Sequence, residues 1–318
     1  MKALITGITG FAGSHLAELL LEENIEVFGT MRPRSPMENL TSGVQKQINL
    51  VECELRDNVA VRHTIKTVKP DAVFHLAAQS FVPTSWGSPE DTIMNNIICQ
   101  LNIFEAVKDT GLTDTKIQIA CSSEEYGMVY ENEVPIRETN PLRPLSPYAV
   151  SKVSQDMMGY QYFMSYGLNV IRTRAFNHTG PRRGEIFVAS TFAKQIASIE
   201  KGIQEPSIKV GNLGAKRDFT DVRDTVRAYY MSVLKAEPGE VYNIATNKTI
   251  TIQELLDRLL ALTDKDIEVK TDPARLRPSD VPILLGNYDR LRDRVGWEPR
   301  IPFDKTLEDL LNYWRERV

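Results

Sequence analysis

The stretch KALITGITGFAGSHLAELLLEENIEVFGT, running from Lys2 to Thr30, decides the fold. Lys2 to Thr6 is short, apolar and strand-like. Ser14 to Glu23 carries apolar residues at helical spacing, and Glu26 to Thr30 reads as a second strand. Between the first strand and the helix lie Gly7, Gly10 and Gly13, in a GxxGxxG rather than a GxGxxG spacing. The first glycines permit a tight turn and close approach of a pyrophosphate to backbone N–H groups at a helix N-terminus. The last lets the helix sit near the strand. A glycine motif alone is weak; its place between a strand and a helix makes it informative.

Working outward, strand-like segments at Asn49–Glu52, Ala72–Leu76, Ile117–Cys121 and Asn169–Thr173 alternate with helical ones at Val59–Val68, Pro89–Lys108 and Pro147–Tyr166. The alternation predicts an α/β fold, a Rossmann-type doubly wound parallel sheet with helices on both faces. Ligands of such sheets bind outside the carboxyl ends of the strands. His75 to Ser80, Ser122-Ser123-Glu124 and Arg174 to His178 all fall at such ends. Beyond residue 177 the character changes: Arg182, Arg183, Lys194, Lys209, Lys216, Arg217 and the run Arg275 to Asp280 place basic groups among glycines and prolines. Phe219–Leu234, Ile252–Leu262 and Leu307–Arg315 read as helices and Val241–Ile244 as a strand. Residues 1–176 are expected to form the dinucleotide-binding domain, with segments from about 217 to 246 returning to it. Residues 177–318 are expected to form mainly a smaller substrate-binding lobe suited to an anionic ligand.

Composition narrows the classes. A chain of 318 residues that is 42% hydrophobic can bury a substantial core. A net charge of -4 implies no nucleic-acid partner. Cys53, Cys99 and Cys121 are widely spaced, and the four histidines show no HExxH pattern, so neither disulfides nor a metal site is expected. The absence of a long apolar run and of a signal-peptide pattern leads to the expectation of a soluble, cytoplasmic protein.

Chemistry concentrates between Cys121 and Lys152. Tyr148 and Lys152 lie about one turn apart, so in a helix both project from one face. An ammonium near a phenol favours the phenolate and is expected to lower its pKa, making Tyr148 a usable acid or base. Ser122 is placed to hydrogen-bond the same substrate oxygen. After the second strand the chain reads Thr30-Met31-Arg32-Pro33-Arg34, with no acid to hold a ribose 2′-hydroxyl. Guanidinium groups suit a 2′-phosphate, which favours NADP(H) over NAD(H); the alternative is that both arginines are solvated.

Thr6 to Gly13 (TGITGFAG), His75 to Gln79 (HLAAQ), Tyr148-x-x-x-Lys152 and Phe176-Asn-His-x-Gly-Pro181 together resemble the extended short-chain dehydrogenase/reductases acting on nucleotide sugars. Within that family the likeness runs to the enzymes of GDP-D-rhamnose formation. These are the reductases of GDP-4-keto-6-deoxy-D-mannose and, as near relatives, the GDP-mannose 4,6-dehydratases. The resemblance implies a cofactor site at Gly7, Gly10, Phe11, Ala12, Gly13, Arg32, Glu54, Leu55, Leu76, Ala77, Ala78, Gln79, Tyr148 and Lys152. It implies a GDP-sugar site at Asn177, Val188, Lys194, Gly211, Asn212, Arg217, Arg277 and Asp280, with Arg217 and Arg277 clamping the diphosphate. Ser122, Tyr148 and Lys152 would be catalytic. Glu124 stands where a dehydratase keeps the carboxylate that removes the C5 proton, whereas Phe11-Ala12 replaces the Gln-Asp usual in the dehydratase glycine loop. The reading is therefore a 4-keto reductase. The dehydratase, or a weak bifunctional activity, is the alternative, followed by a 4-epimerase; a non-catalytic NADP(H) sensor has no reason to keep all three catalytic residues. A homodimer through the helices at Pro89–Lys108 and Pro147–Tyr166 is also implied.

Overall fold

The computed structural model describes residues 1–275 and 281–318; Arg277 and Asp280 lie outside the described residues. A seven-stranded parallel sheet is built from β1 (Lys2–Thr6), β2 (Glu26–Met31), β3 (Asn49–Glu52), β4 (Ala72–His75), β5 (Lys116–Ser122), β6 (Asn169–Ala175) and β7 (Val241–Ile244). Their spatial order is β7-β6-β5-β4-β1-β2-β3. The strand order reverses between β1 and β4, so the loops leaving those two strands diverge and open a crevice at their carboxyl ends.

Both faces are covered, which is why β4 and β7 are buried along their whole length. On one face Leu16, Ala17 and Leu20 of the helix Phe11–Glu22 join Val226, Tyr229 and Val233 of the helix Val222–Lys235. On the other, Val61, Ile65, Ile103, Phe104 and Tyr162 come from the helices Asn58–Val68, Pro89–Asp109 and Pro147–Tyr166. A separate core gathers Phe192, Ile196, Leu255, Leu259, Leu307 and Leu310 from the helices Val188–Glu200, Ile252–Leu260 and Phe303–Arg315.

The helix carrying Tyr148 and Lys152 has legible ends. Ser146 caps it by accepting from the Ala149 N–H at 3.1 Å, Pro147 occupies its first turn, and Gly167 closes it at φ 69°. Three helix starts differ from the sequence reading by three or more residues: the first helix opens at Phe11 rather than Ser14, the last at Phe303 rather than Leu307, and the third lies near Phe219. Phe219–Asp221 is a short strand paired with Asn177–Thr179, and the helix begins only at Val222. The cause is Asp221, whose carboxylate accepts from the Arg223 N–H at 2.8 Å and so fixes the helix start after it. Among the described residues no helix is long and apolar enough to cross a membrane.

His15 and His75 are buried, and burial above all pulls their pKa from 6.5 to about 4 and about 3. The unfolded chain therefore binds these protons at a pH where the native one does not, and unfolding takes up protons. The stability these two groups contribute is complete above pH 6.5 and is lost as pH falls towards 4, by up to about 1.4 kcal/mol per pH unit for each group. Thermal unfolding at pH 7 and pH 5 should show that the melting temperature of His15→Gln, relative to that of the native chain, rises on going from pH 7 to pH 5.

Candidate active site

The glycine turn makes one end of a cavity of about 970 Å³. Gly7 adopts φ +72°, and a Cβ there would lie 3.0 Å from the Ala77 Cα. A Cβ on Gly13 would lie 2.3 Å from the Gly7 carbonyl oxygen. Both positions must be glycine for the helix Phe11–Glu22 to start this close to β1. Gly10, its N-cap, brings no side chain, so the first N–H groups of the helix stay available to an anion. Thr6 Oγ1 accepts the Leu76 and Ala77 N–H groups at 3.1 and 3.2 Å and pairs with His75 Nδ1 at 2.9 Å. It thereby ties the ends of β1 and β4 together across the reversal. A cradle that a methyl group would fill, facing an uncapped helix end, fits a dinucleotide.

Deeper in the cavity, β5 delivers Ser122 and the helix Pro147–Tyr166 delivers Tyr148 and Lys152. Ser122 Oγ accepts the Glu124 N–H at 3.2 Å, and its hydroxyl hydrogen-bonds Tyr148. Lys152 is buried, donates to the Ala120 carbonyl at 2.7 Å, and lies 5.9 Å from the centre of the Tyr148 ring. The expected lowering of the phenol's pKa is not what this arrangement gives. Burial pushes Tyr148 well up, the Ser122 hydrogen bond opposes it, and Glu124 and Glu125 add to the rise. Burial also pushes Lys152 down. Tyr148 is therefore a protonated phenol at neutral pH. Such a group gives a proton more readily than it takes one.

The remaining residues of the sequence reading divide clearly. Phe11, Ala12, Arg32, Glu54, Leu55, Leu76, Ala77, Ala78 and Gln79 line the cavity with the glycines. Arg32 is exposed beyond β2 beside Ser35, whose hydroxyl accepts its N–H at 3.1 Å. Glu124, Asn177, Val188, Gly211, Asn212 and Arg217 line it too. Arg217 is buried and donates to the Val281 carbonyl at 2.7 Å. Lys194 stands apart: it is not among the lining residues, because its ammonium pairs with Glu185 and sits 5.2 Å from the Trp314 ring.

Several lining residues escaped the sequence reading. Arg183 stacks on Phe187, 3.4 Å from the ring centre, and lies 4.8 Å from that of Phe11. Burial lowers its pKa to about 10, and the hydroxyls of Tyr148 and Tyr229 pull the other way. His178 stacks on Phe11 with ring centres 5.9 Å apart. Asn96 is fully buried behind the lining residues; it accepts the Gln79 N–H at 2.8 Å and donates to Ser151 Oγ at 2.9 Å, joining the loop after β4 to the catalytic helix. A polar pair, Asn95-Asn96, inside an apolar helix face was its only signal in the sequence.

A doubly wound sheet with a glycine cradle at the reversal, and a serine, a tyrosine and a lysine at one point of that crevice, defines an extended short-chain dehydrogenase/reductase. Residues 4–310 match the sequence profile of the GDP-mannose 4,6 dehydratase family, and the chain belongs to that family. It is 32% identical over 317 residues to the GDP-6-deoxy-D-mannose reductase of Pseudomonas aeruginosa, covering 100% of this chain and 98% of that one. It is 34% identical over 350 residues to the GDP-mannose 4,6-dehydratase of Yersinia enterocolitica, covering 98% and 92%. The structure of RMD from Pseudomonas aeruginosa complexed with NADPH superimposes with a TM-score of 0.85 at 30% identity, covering 100% and 99%.

Gly13→Ala should abolish detectable dinucleotide binding and lower the melting temperature, since the new methyl meets backbone rather than a flexible side chain. Gly43→Ala, whose Cβ would meet Thr41 Oγ1 only at 3.9 Å, should leave both unchanged. Calorimetric titration and thermal unfolding of the two variants read the difference.

Proposed function

We propose that the chain reduces the 4-keto group of GDP-4-keto-6-deoxy-D-mannose to give GDP-D-rhamnose, with NADP(H) preferred and NAD(H) as the alternative. The observation that carries this reading is the meeting of Ser122, Tyr148 and the buried Lys152 at one point of the cavity wall. Reduction needs a proton for the alkoxide that forms at C4, and a buried, protonated tyrosine supplies it. Ser122 donates to the same oxygen and polarises the ketone. NADPH, when bound, supplies the hydride. Lys152, fixed by the Ala120 carbonyl, is the group placed to compensate the negative charge left on Tyr148 after donation. Arg32 supports NADP(H), because a guanidinium at the end of β2 suits a 2′-phosphate. Arg217, Lys209 and Arg275 at the far end of the cavity suit a diphosphate. The likeness to the Pseudomonas aeruginosa reductase over the full chain supports the same reading.

Glu124 favours a second reading, a 4,6-dehydratase, because its partly exposed carboxylate lines the cavity two residues from Ser122. Dehydration would open by removing the C4 hydroxyl proton at the same Tyr148, so the two readings part at whether Glu124 then takes the C5 proton. The deciding measurement is NADPH oxidation by the purified protein on GDP-4-keto-6-deoxy-D-mannose, with the product identified by NMR. Oxidation yielding GDP-D-rhamnose is expected, lost by about 10²–10⁴-fold in Tyr148→Phe and kept within about threefold in Glu124→Gln. No oxidation, combined with turnover of GDP-mannose without added reductant, would reverse the choice.

A second copy of this chain is the proposed partner. Val150, Met157 and Met164 are exposed at seven-residue intervals on the helix Pro147–Tyr166, and Met94 is exposed on the adjoining helix Pro89–Asp109. One apolar stripe across two packed helices suits an isologous interface. Sedimentation should give a dimer for the native chain and a monomer for Met157→Glu/Met164→Glu.

A further inference from the structure

Directly behind the catalytic side chains lies a fully buried group of charges that the reaction itself does not use. Glu125 and Asp156 are 0% exposed, and Arg172 and Arg174 are almost as deeply enclosed. Glu125 Oε1 accepts the Ser122 N–H at 2.8 Å, while Ser122 Oγ accepts the Glu124 N–H at 3.2 Å. The two bonds form a reciprocal capping box over a single 3-10 turn. The backbone and the side chain of Ser122 are thus both held, in the wall of the cavity that Tyr148 also lines.

The other oxygen of Glu125 lies 3.2 Å from Arg174 Nε. The same Nε donates at 2.8 Å to Asp156 Oδ2, and Asp156 Oδ1 accepts from Arg172 at 2.6 Å. Asp156 is one turn beyond Lys152 on the catalytic helix. The Glu125 and Asp156 carboxylates lie close enough to Cys121 Sγ to suggest a metal site, but the Arg174 guanidinium occupies the space between them.

We propose that Glu125 is a positioning residue for Ser122, and that the Glu125–Arg174–Asp156 bridge sets the spacing between the two halves of the site. One half is the turn bearing Ser122 and Glu124; the other is the helix bearing Tyr148 and Lys152. They come from separate elements, and a displacement of an ångström between Ser122 and Tyr148 is costly to proton transfer. A purely apolar contact would hold the two elements together without fixing the Ser122 backbone. The carboxylate does both, through one oxygen to Ser122 and one to Arg174. The inference rests on the reading that Ser122 and Tyr148 share the substrate oxygen.

The test is a double-mutant cycle on cofactor-dependent turnover of the GDP-sugar by the full chain. Glu125→Gln should lower kcat by about tenfold to a hundredfold, while KM and the NADPH Kd change by less than about twofold. In a Ser122→Ala background the same change should cost less than about twofold, because Glu125 acts through Ser122. Equal factors in both backgrounds would overturn the proposal and leave Glu125 a purely structural group. A Ser122→Ala enzyme as active as the native one would sink the functional reading itself, a separate outcome. If Glu125→Gln does not fold, the cycle is run with Asp156→Asn, which leaves the capping box intact. There the same coupling to Ser122→Ala is expected, and additivity would again overturn the bridge.

Discussion

Everything in this molecule depends on how closely the helix Phe11–Glu22 starts against β1. The Gly7 carbonyl and the Gly13 Cα approach until no side-chain carbon fits between them. That contact puts the uncapped helix N-terminus over the carboxyl ends of β1 and β4, where the strand order reverses. The helix then lays Leu16 and Leu20 on the sheet, and Tyr229 and Val233 of the helix Val222–Lys235 pack beside them. Loosening the first contact would shift the helix, the sheet face and the cavity mouth together, since a close-packed interior transmits displacements.

The reactive end obeys a different rule, set by burial rather than by contact distance. A tyrosine in water and a tyrosine enclosed with two carboxylates nearby are different acids. In this cavity enclosure outweighs the stabilisation that Arg183 and Ser122 give to the phenolate. Lysine is affected in the opposite sense, because enclosure there disfavours the cation. The two side chains thus move apart in proton affinity: the phenol, slightly the stronger acid in water, becomes the weaker one here.

Much of the framework was legible because local rules and global packing agree. The strand Lys2–Thr6, the helix Pro147–Tyr166 with its Ser-Pro start and glycine end, and the strand Val241–Ile244 all stand where pattern placed them. The helix at Phe219 was misjudged because Asp221 is both the last residue of a short strand and a cap, and periodicity alone does not register caps. In the site, motifs found the residues that line the cavity from the sheet side. They did not find Arg183, whose place between Phe11 and Phe187 depends on a loop meeting a distant helix. Lys194 illustrates the reverse: its charge suggested a ligand contact, but a local carboxylate and the Trp314 ring hold it away from the cavity. The Tyr148–Lys152 spacing was correct and the sign of its pKa consequence was not, because sequence carries spacing and does not carry burial.

The path of the chain also governs how this protein is made. β7 closes the sheet beside β6, yet its residues follow Asn177–Thr179, the helix Val188–Glu200 and the strand Ser207–Val210 in order of synthesis. Trp297 is later still; it donates to the Asp224 carbonyl at 3.0 Å and seals the same sheet face. On the ribosome the nascent sheet must therefore wait with the β6 edge unpaired, and the face under Val222–Lys235 bare, until those later segments have emerged. Completion of the sheet is a late event, because β6 gains its outer neighbour only after the intervening segments have been made.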